Sequence, residues 1–186
     1  MTLEKGPSGQ TLTYRHDLTG SADPAFFTKM DNVEPTPDGI KLKRQPDGKF
    51  PVQGIMQSMP IPTEIAIQTV GAHWRQNSPA GTGVKVELST SRDGSTWTAW
   101  DESNPDPHND DVSRVYPDGR PNPNYGETIG DLSSRTDNQG RLVRYRVSLT
   151  TENADQTPVI QTIALTYMDN TLPGTTLVPQ KEELKE

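Results

Sequence analysis

Apolar and polar residues alternate with a period of two over three segments of the chain. The first is Val84-Lys85-Val86-Glu87-Leu88-Ser89. In the second, Val143, Tyr145, Val147 and Leu149 share one face and Arg144, Arg146 and Ser148 the other. In the third, Ile163, Leu165 and Tyr167 oppose Thr162, Ala164 and Thr166. Successive side chains leave opposite sides of an extended backbone, so this period marks strands with one buried face. Glu64 to Trp74 is a longer apolar-rich stretch, β-branched at Ile65, Ile67, Thr69 and Val70. It predicts a central strand, with Gly71 as a bulge or close-packing point. Shorter strands are predicted over Thr11–Arg15, Phe26–Met30, Ile40–Arg44 and Val52–Ser58, divided by turns at Asp38-Gly39 and Pro46-Asp47-Gly48. Gly accepts a positive φ freely and Asp tolerates it, which is why such pairs turn the chain. No window of twelve residues carries a helical stripe, and the one helical stretch is the charged tail Pro179 to Glu186. Short strands separated by turn signals predict an all-β chain, an antiparallel β-sandwich or jelly roll.

Two stretches interrupt the rhythm. Ser103 to Tyr125 holds five prolines and four aspartates, and connections that long in compact domains are functional or disordered. The stretch after Asp169 reads as a linker or tail. The expected organisation is an N-terminal arm or first edge strands over 1–35, a sandwich domain over 36–169, and a flexible tail over 170–186. Only 30% of the 186 residues are hydrophobic, below the ~45–50% usual for globular chains even allowing for glycine. Those apolar residues concentrate in the strands between 40 and 168. Low hydrophobicity therefore describes sheets with one wet face each, and not disorder. A net charge of −7 and a pI near 5.0 give a field of the wrong sign for nucleic acid or anionic membranes. No run of even ten apolar residues exists, so no membrane-spanning helix is expected. The start, MTLEKGPSGQ, has no apolar core of a signal peptide, so export, if it occurs, uses another route or a removed leader. With no cysteine, disulfides, a thiol nucleophile and thiolate zinc sites are excluded.

The sharpest local motif is Ser91 to Trp100, SRDGSTWTAW. Asp93 is placed to accept bonds from the amides that follow it, Gly94 to turn the chain, and Trp97 to pack over the turn. It approaches the Asp box of sialidase-type propellers, in one copy and one residue short. Trp97 and Trp100 are three apart and on a strand would face opposite ways, one into the core and one outward as a stacking surface for a sugar ring. Trp74, flanked by His73 and Arg75, is weighed in the same way between core and ligand platform. The three histidines have no metal-ligand spacing, and HExxH, GxSxG, GxxxxGK[ST] and GxGxxG are all missing, so hydrolytic and nucleotide chemistry find no support. A glycosidase needs two placed carboxylates, which cannot be picked out among 25 acids. Asp106, Asp110 and Asp111, with His108 and Asn109, form either a solvated acidic loop or an oxygen-rich Ca²⁺ site. Arg141, Arg144 and Arg146 either pair with acids on a neighbouring strand or serve an anion or sugar-hydroxyl site.

Four strings, TVGAHWR (69–75), VKVELSTSRDGSTWTAW (84–100), LVRYRVSLTT (142–151) and TPVIQTIALTYMD (157–169), resemble in order the galactose-binding-like β-sandwich accessory domain of secreted bacterial N-acetylmuramoyl-L-alanine amidases. Related modules occur in phage tail proteins. The resemblance spans residues 40 to 169. It implies a non-catalytic, extracellular or cell-surface module that binds glycan or cell-wall polymer, or docks a partner. Trp74, Trp100, Tyr116 and Tyr125 would then stack on the ligand, with Arg144 and Arg146 bonding its hydroxyls, and no cofactor beyond Ca²⁺ is expected. The 103–125 loop has no counterpart in that family, and no amidase domain follows. The alternative is a structural subunit of a virion or filament, contacting neighbouring protein subunits. A glycan lyase or hydrolase on a jelly roll is the third reading.

Overall fold

A computed structural model of the chain describes residues 2–5, 11–100, 125–131 and 140–169. These form twelve strands: β1 (Thr2–Lys5), β2 (Thr11–Asp17), β3 (Phe27–Asp31), β4 (Val33–Thr36), β5 (Gly39–Leu42), β6 (Gln53–Ser58), β7 (Ile61–Ile67), β8 (Thr69–Asn77), β9 (Thr82–Ser91), β10 (Tyr125–Asp131), β11 (Gly140–Thr151) and β12 (Val159–Met168). One 3₁₀ turn, Pro24–Phe26, precedes β3, the Ala25 amide donating to the Asp23 carboxylate. All ten strand pairings are antiparallel. β1, β2, β4, β5, β8, β10 and β12 make a seven-stranded sheet, and β3, β6, β7, β9 and β11 a five-stranded one. From β8 onward every strand lies in the sheet opposite to its predecessor, the winding of a jelly roll. The chain is an antiparallel β-sandwich, as its alternating pattern predicts.

The two sheets share one plan. In the small sheet β11 is central. Its one edge runs the length of β9, and its other edge is divided between β7, at 140–143, and β6, at 146–150. In the large sheet β12 is central. β8 covers one edge, with β10 beyond it, and the other edge is divided between β5, at 159–160, and β2, at 162–168. Where two short strands divide an edge, a backbone group of the central strand loses its ladder partner and needs another. Ser58 Oγ, fully buried, takes the Tyr145 amide at 3.0 Å. On β12 the Gln161 carbonyl accepts from the Leu18 amide at 2.8 Å.

The inward-facing positions fill the space between the sheets. Leu12 and Tyr14 of β2, Val70, Ala72 and Trp74 of β8, and Ile163, Leu165 and Tyr167 of β12 meet Met56, Val86, Leu88, Val143, Tyr145, Val147 and Leu149. Burying a side chain of that size contributes about 1.5–3 kcal/mol. The strands read from the sequence are present with ends moved by at most three residues, with one exception. The stretch from Glu64 to Trp74 is not a single strand. It breaks at Gln68, and β7 and β8 belong to different sheets. Both sides of the corner stay buried, at Ile67 and Val70, so the apolar run continues through a change of sheet. Gly71 is no bulge: it holds regular register with Thr166 on one side and Ile129 on the other. The tail 179–186 lies outside the described residues.

Candidate functional site

Two surfaces gather polar chemistry, one on the outer face of each sheet. On the small sheet, the chain leaves β9 at Ser91 and turns back. Asp93 Oδ1 accepts from the Ser95 and Thr96 amides at 2.8 and 2.9 Å, and the Trp97 indole N–H donates to the Gly94 carbonyl at 3.0 Å. Gly94 has φ +79°, a conformation that costs an L side chain strain. Those two amides hold the Asp93 carboxyl below its ordinary range. The turn is the one its sequence predicts. It delivers Trp97 and Trp100 onto the outer face of β11. The Arg144 guanidinium lies 4.1 Å from the Trp97 ring centre and 4.7 Å from that of Trp100, and the Arg146 guanidinium lies 4.5 Å from Trp100. Arg146 also makes a two-pronged pair with Glu87, directly opposite on β9, at 2.7 and 2.9 Å.

Contacts therefore run Trp97, Arg144, Trp100, Arg146, Glu87 across the sheet. The two tryptophans do not face opposite ways. Only Trp97 makes a strand-like bridge, to Ser91; beyond it the backbone is irregular, so period-two alternation does not apply. Trp100, Arg144 and Arg146, expected to meet a ligand, are brought together but are engaged with one another. Burial, followed by the charge of Arg146, lowers the proton affinity of Arg144. For Glu87, burial pushes the carboxyl up, and the bonds and charge of Arg146 with the charge of Lys85 outweigh it and hold it low.

On the large sheet the inward set of β2, β8 and β12 leaves Thr13 and Arg15, His73 and Arg75, and Thr162, Ala164 and Thr166 facing out. The registers align them in rows across the sheet. Arg15, Ala164 and His73 are neighbours in one row, Thr13, Thr166 and Gly71 in the next, and Asp17, Thr162 and Arg75 in the row on the other side. The short side chains lie on β12 and the long ones on the strands flanking it. The result is an open trough of about 460 Å³ with a threonine and alanine floor and arginine walls. Thr13 and Thr166 share a hydroxyl bond at 3.0 Å across it. No Asp or Glu is among the described residues lining it. Asp17, in the outer row, turns its carboxylate to the Thr19 amide and hydroxyl at 2.9 and 2.7 Å, which keep it low. β10 extends this face, with Tyr125 opposite Arg75 and Glu127 opposite His73 in backbone register.

Trp74 belongs to the core at 6% exposure and also borders the trough, its indole N–H on Gln76 Oε1 at 2.6 Å. With so little of it exposed, its ring offers almost no face for a sugar to stack on. Tyr125 begins β10. Tyr116 and the proposed Ca²⁺ ligands Asp106, Asp110 and Asp111 lie outside the described residues. Among the described residues no three acids or histidines stand close enough to hold a metal ion. Arg15 and Arg75 were not singled out by sequence reasoning as trough residues. The wet face of β12 was legible, but its pairing with β2 and β8 was not. As chemistry, the trough supplies guanidinium, imidazole and hydroxyl groups along an open strand-length surface, suited to holding a polyhydroxylated or anionic chain.

No family model and no curated protein matches the chain. Among solved structures it is similar to a "xylan-binding module CBM15", at 12% identity and a TM-score of 0.42, over 83% of this chain and 95% of that one. It is also similar to part of a mutant xylanase 10C from Cellvibrio japonicus in complex with xylopentaose, at 12% identity and a TM-score of 0.41. That match spans 83% of this chain and 28% of the other. Values this low carry no weight for function, and the sandwich rests on the strand pairings themselves.

Proposed function

We propose that the chain is a non-catalytic module that binds a glycan or cell-wall polymer in the trough over β12, outside the cell or at its surface. The observation that carries the reading is the open trough itself: small hydroxyl-bearing residues along the central strand, walled by Arg15 and Arg75. A sugar chain is recognised by donors and acceptors spread along its length, and a straight strand flanked by two taller ones presents them in that form. The resemblance of the sequence to accessory modules of wall-lytic amidases supports cell-wall polymer as a member of the ligand panel. The arginine–tryptophan stack on the other sheet serves the fold in this reading.

The test is isothermal titration calorimetry against xylan, other neutral polysaccharides, acidic polysaccharides and purified peptidoglycan. Binding to at least one polymer is expected, weakened about tenfold or more by joint Arg15→Ala and Arg75→Ala substitution. Trp100→Ala is expected to lower stability and leave binding in place. A wild-type protein that binds no polymer in the panel overturns the proposal.

A further inference from the structure

We infer that the trough selects glycans bearing carboxylates; the inference rests on the binding reading above and names the class of ligand. The chain as a whole carries a charge of −7, so a random patch of its surface is acidic. The trough is the reverse: Arg15, Arg75 and His73 line it, and no acid does among its described residues.

Several other described cations are met by acids. Arg146 and Lys85 meet Glu87, Lys49 meets Asp155, and Lys41 meets Glu34. Arg15 and Arg75 are exposed and have no acid partner among the described residues. Asp17, in the row of Arg75, is held by Thr19. Glu127 of β10 stands beyond His73 in backbone register, on the far side of β8 from the trough floor.

Geometry adds direction to the charge. Arg15 and Arg75 stand on strands two apart, roughly 9.5 Å across the sheet, with only Thr162 and Ala164 between them in their rows. A polymer lying along β12 has a guanidinium on either side. Guanidinium presents a planar pair of N–H donors that matches the two oxygens of a carboxylate. Neutral hydroxyls use such a fork poorly, so an acidic sugar gains at both walls what a neutral one does not.

The experiment is calorimetric titration of oligogalacturonate, alginate and glucuronoxylan, each beside its carboxyl-reduced neutral counterpart. At least one acidic form is expected to bind about tenfold or more tightly than its reduced form. That preference should shrink with added salt and disappear in Arg15→Gln and Arg75→Gln variants whose circular dichroism is unchanged. Equal binding of acidic and reduced forms overturns the inference and leaves the glycan reading standing. A preference that survives both arginine substitutions places it elsewhere on the molecule and also overturns the inference. No binding to any acidic or neutral form overturns both.

Discussion

Glu87 is 3% exposed and sits between Arg146 and Lys85 on the outer face of a sheet. It remains charged in that buried place because two cations flank it. Removing one member of such a pair strands the other in a poorly solvated place. Glu87→Gln, nearly isosteric, is therefore expected to cost about 3 kcal/mol of unfolding free energy in urea titrations; a cost under about 1 kcal/mol would show the pair to be no more than a surface contact. Arg144 is a different case. Its Nε is buried without an acceptor, and the faces of Trp97 and Trp100 supply the compensating attraction, about 1–2 kcal/mol each for partly desolvated cation–π contacts. The alternation of 143–149 made the outward arginines legible. Their partners were not, because the register of β11 on β9 is written in neither strand alone.

At the level of elements, the divided edges of β11 and β12 are the feature most exposed to test. β6 and β7 follow one another along a single edge with a corner at Met59-Pro60, and the amide of Tyr145 falls in the gap. Ser58 Oγ is the group that fills it. Ser58→Ala leaves a buried N–H unpaired and is expected to destabilise by about 1–3 kcal/mol, measured by chemical denaturation; Ser58→Thr, retaining the hydroxyl, should recover part of the loss. An unchanged Ser58→Ala protein would mean that β6 or β7 shifts to close the gap. Most strands were legible because each buries one face and alternates. The β7–β8 corner was hidden because Ile65, Ile67 and Val70 carry the same apolar signal on both sides of Gln68. The Trp97 and Trp100 orientations were hidden because alternation holds only while the backbone remains extended.

For the molecule as a whole, His16 is a tie between the sheets. It reaches from β2 to the hydroxyl of Tyr145 on β11, Nδ1 to oxygen 2.6 Å, with Phe26 and Phe27 packed against its ring. Burial in that aromatic setting lowers its pKa to about 4, from about 6.5 in an unfolded chain. The fold thus favours the neutral ring. Its stabilising effect is complete above about pH 6.5 and is lost as pH falls toward 4. Tyr14 and Tyr145, both raised by burial, with Tyr14 pushed up to about 12, do not titrate in that window. Asp17, Glu87 and Asp93 are held low and release stability at still lower pH. Denaturation midpoints should accordingly decline between pH 7 and 5, and His16→Phe should flatten that decline; a wild-type midpoint constant over the interval would contradict a neutral, buried His16. The trough belongs to this scale too. Its floor was legible as the wet face of 162–166, but Arg15 and Arg75 reach it only through the pairing of strands far apart in the chain.

Both sheets are organised around strands that are late in the chain. β11 and β12 occupy 140–168, and every described strand except β1, β3, β4 and β10 pairs directly with one of them. During synthesis, a nascent chain emerged only as far as residue 139 has made β1 to β10 and lacks the centre of both layers. Nothing made by then can close the sandwich, so its strand edges must wait in solution, where such edges invite aggregation. The spare use of apolar residues, set against that wait, keeps the unfinished chain dissolved until its last strands arrive to bind the rest.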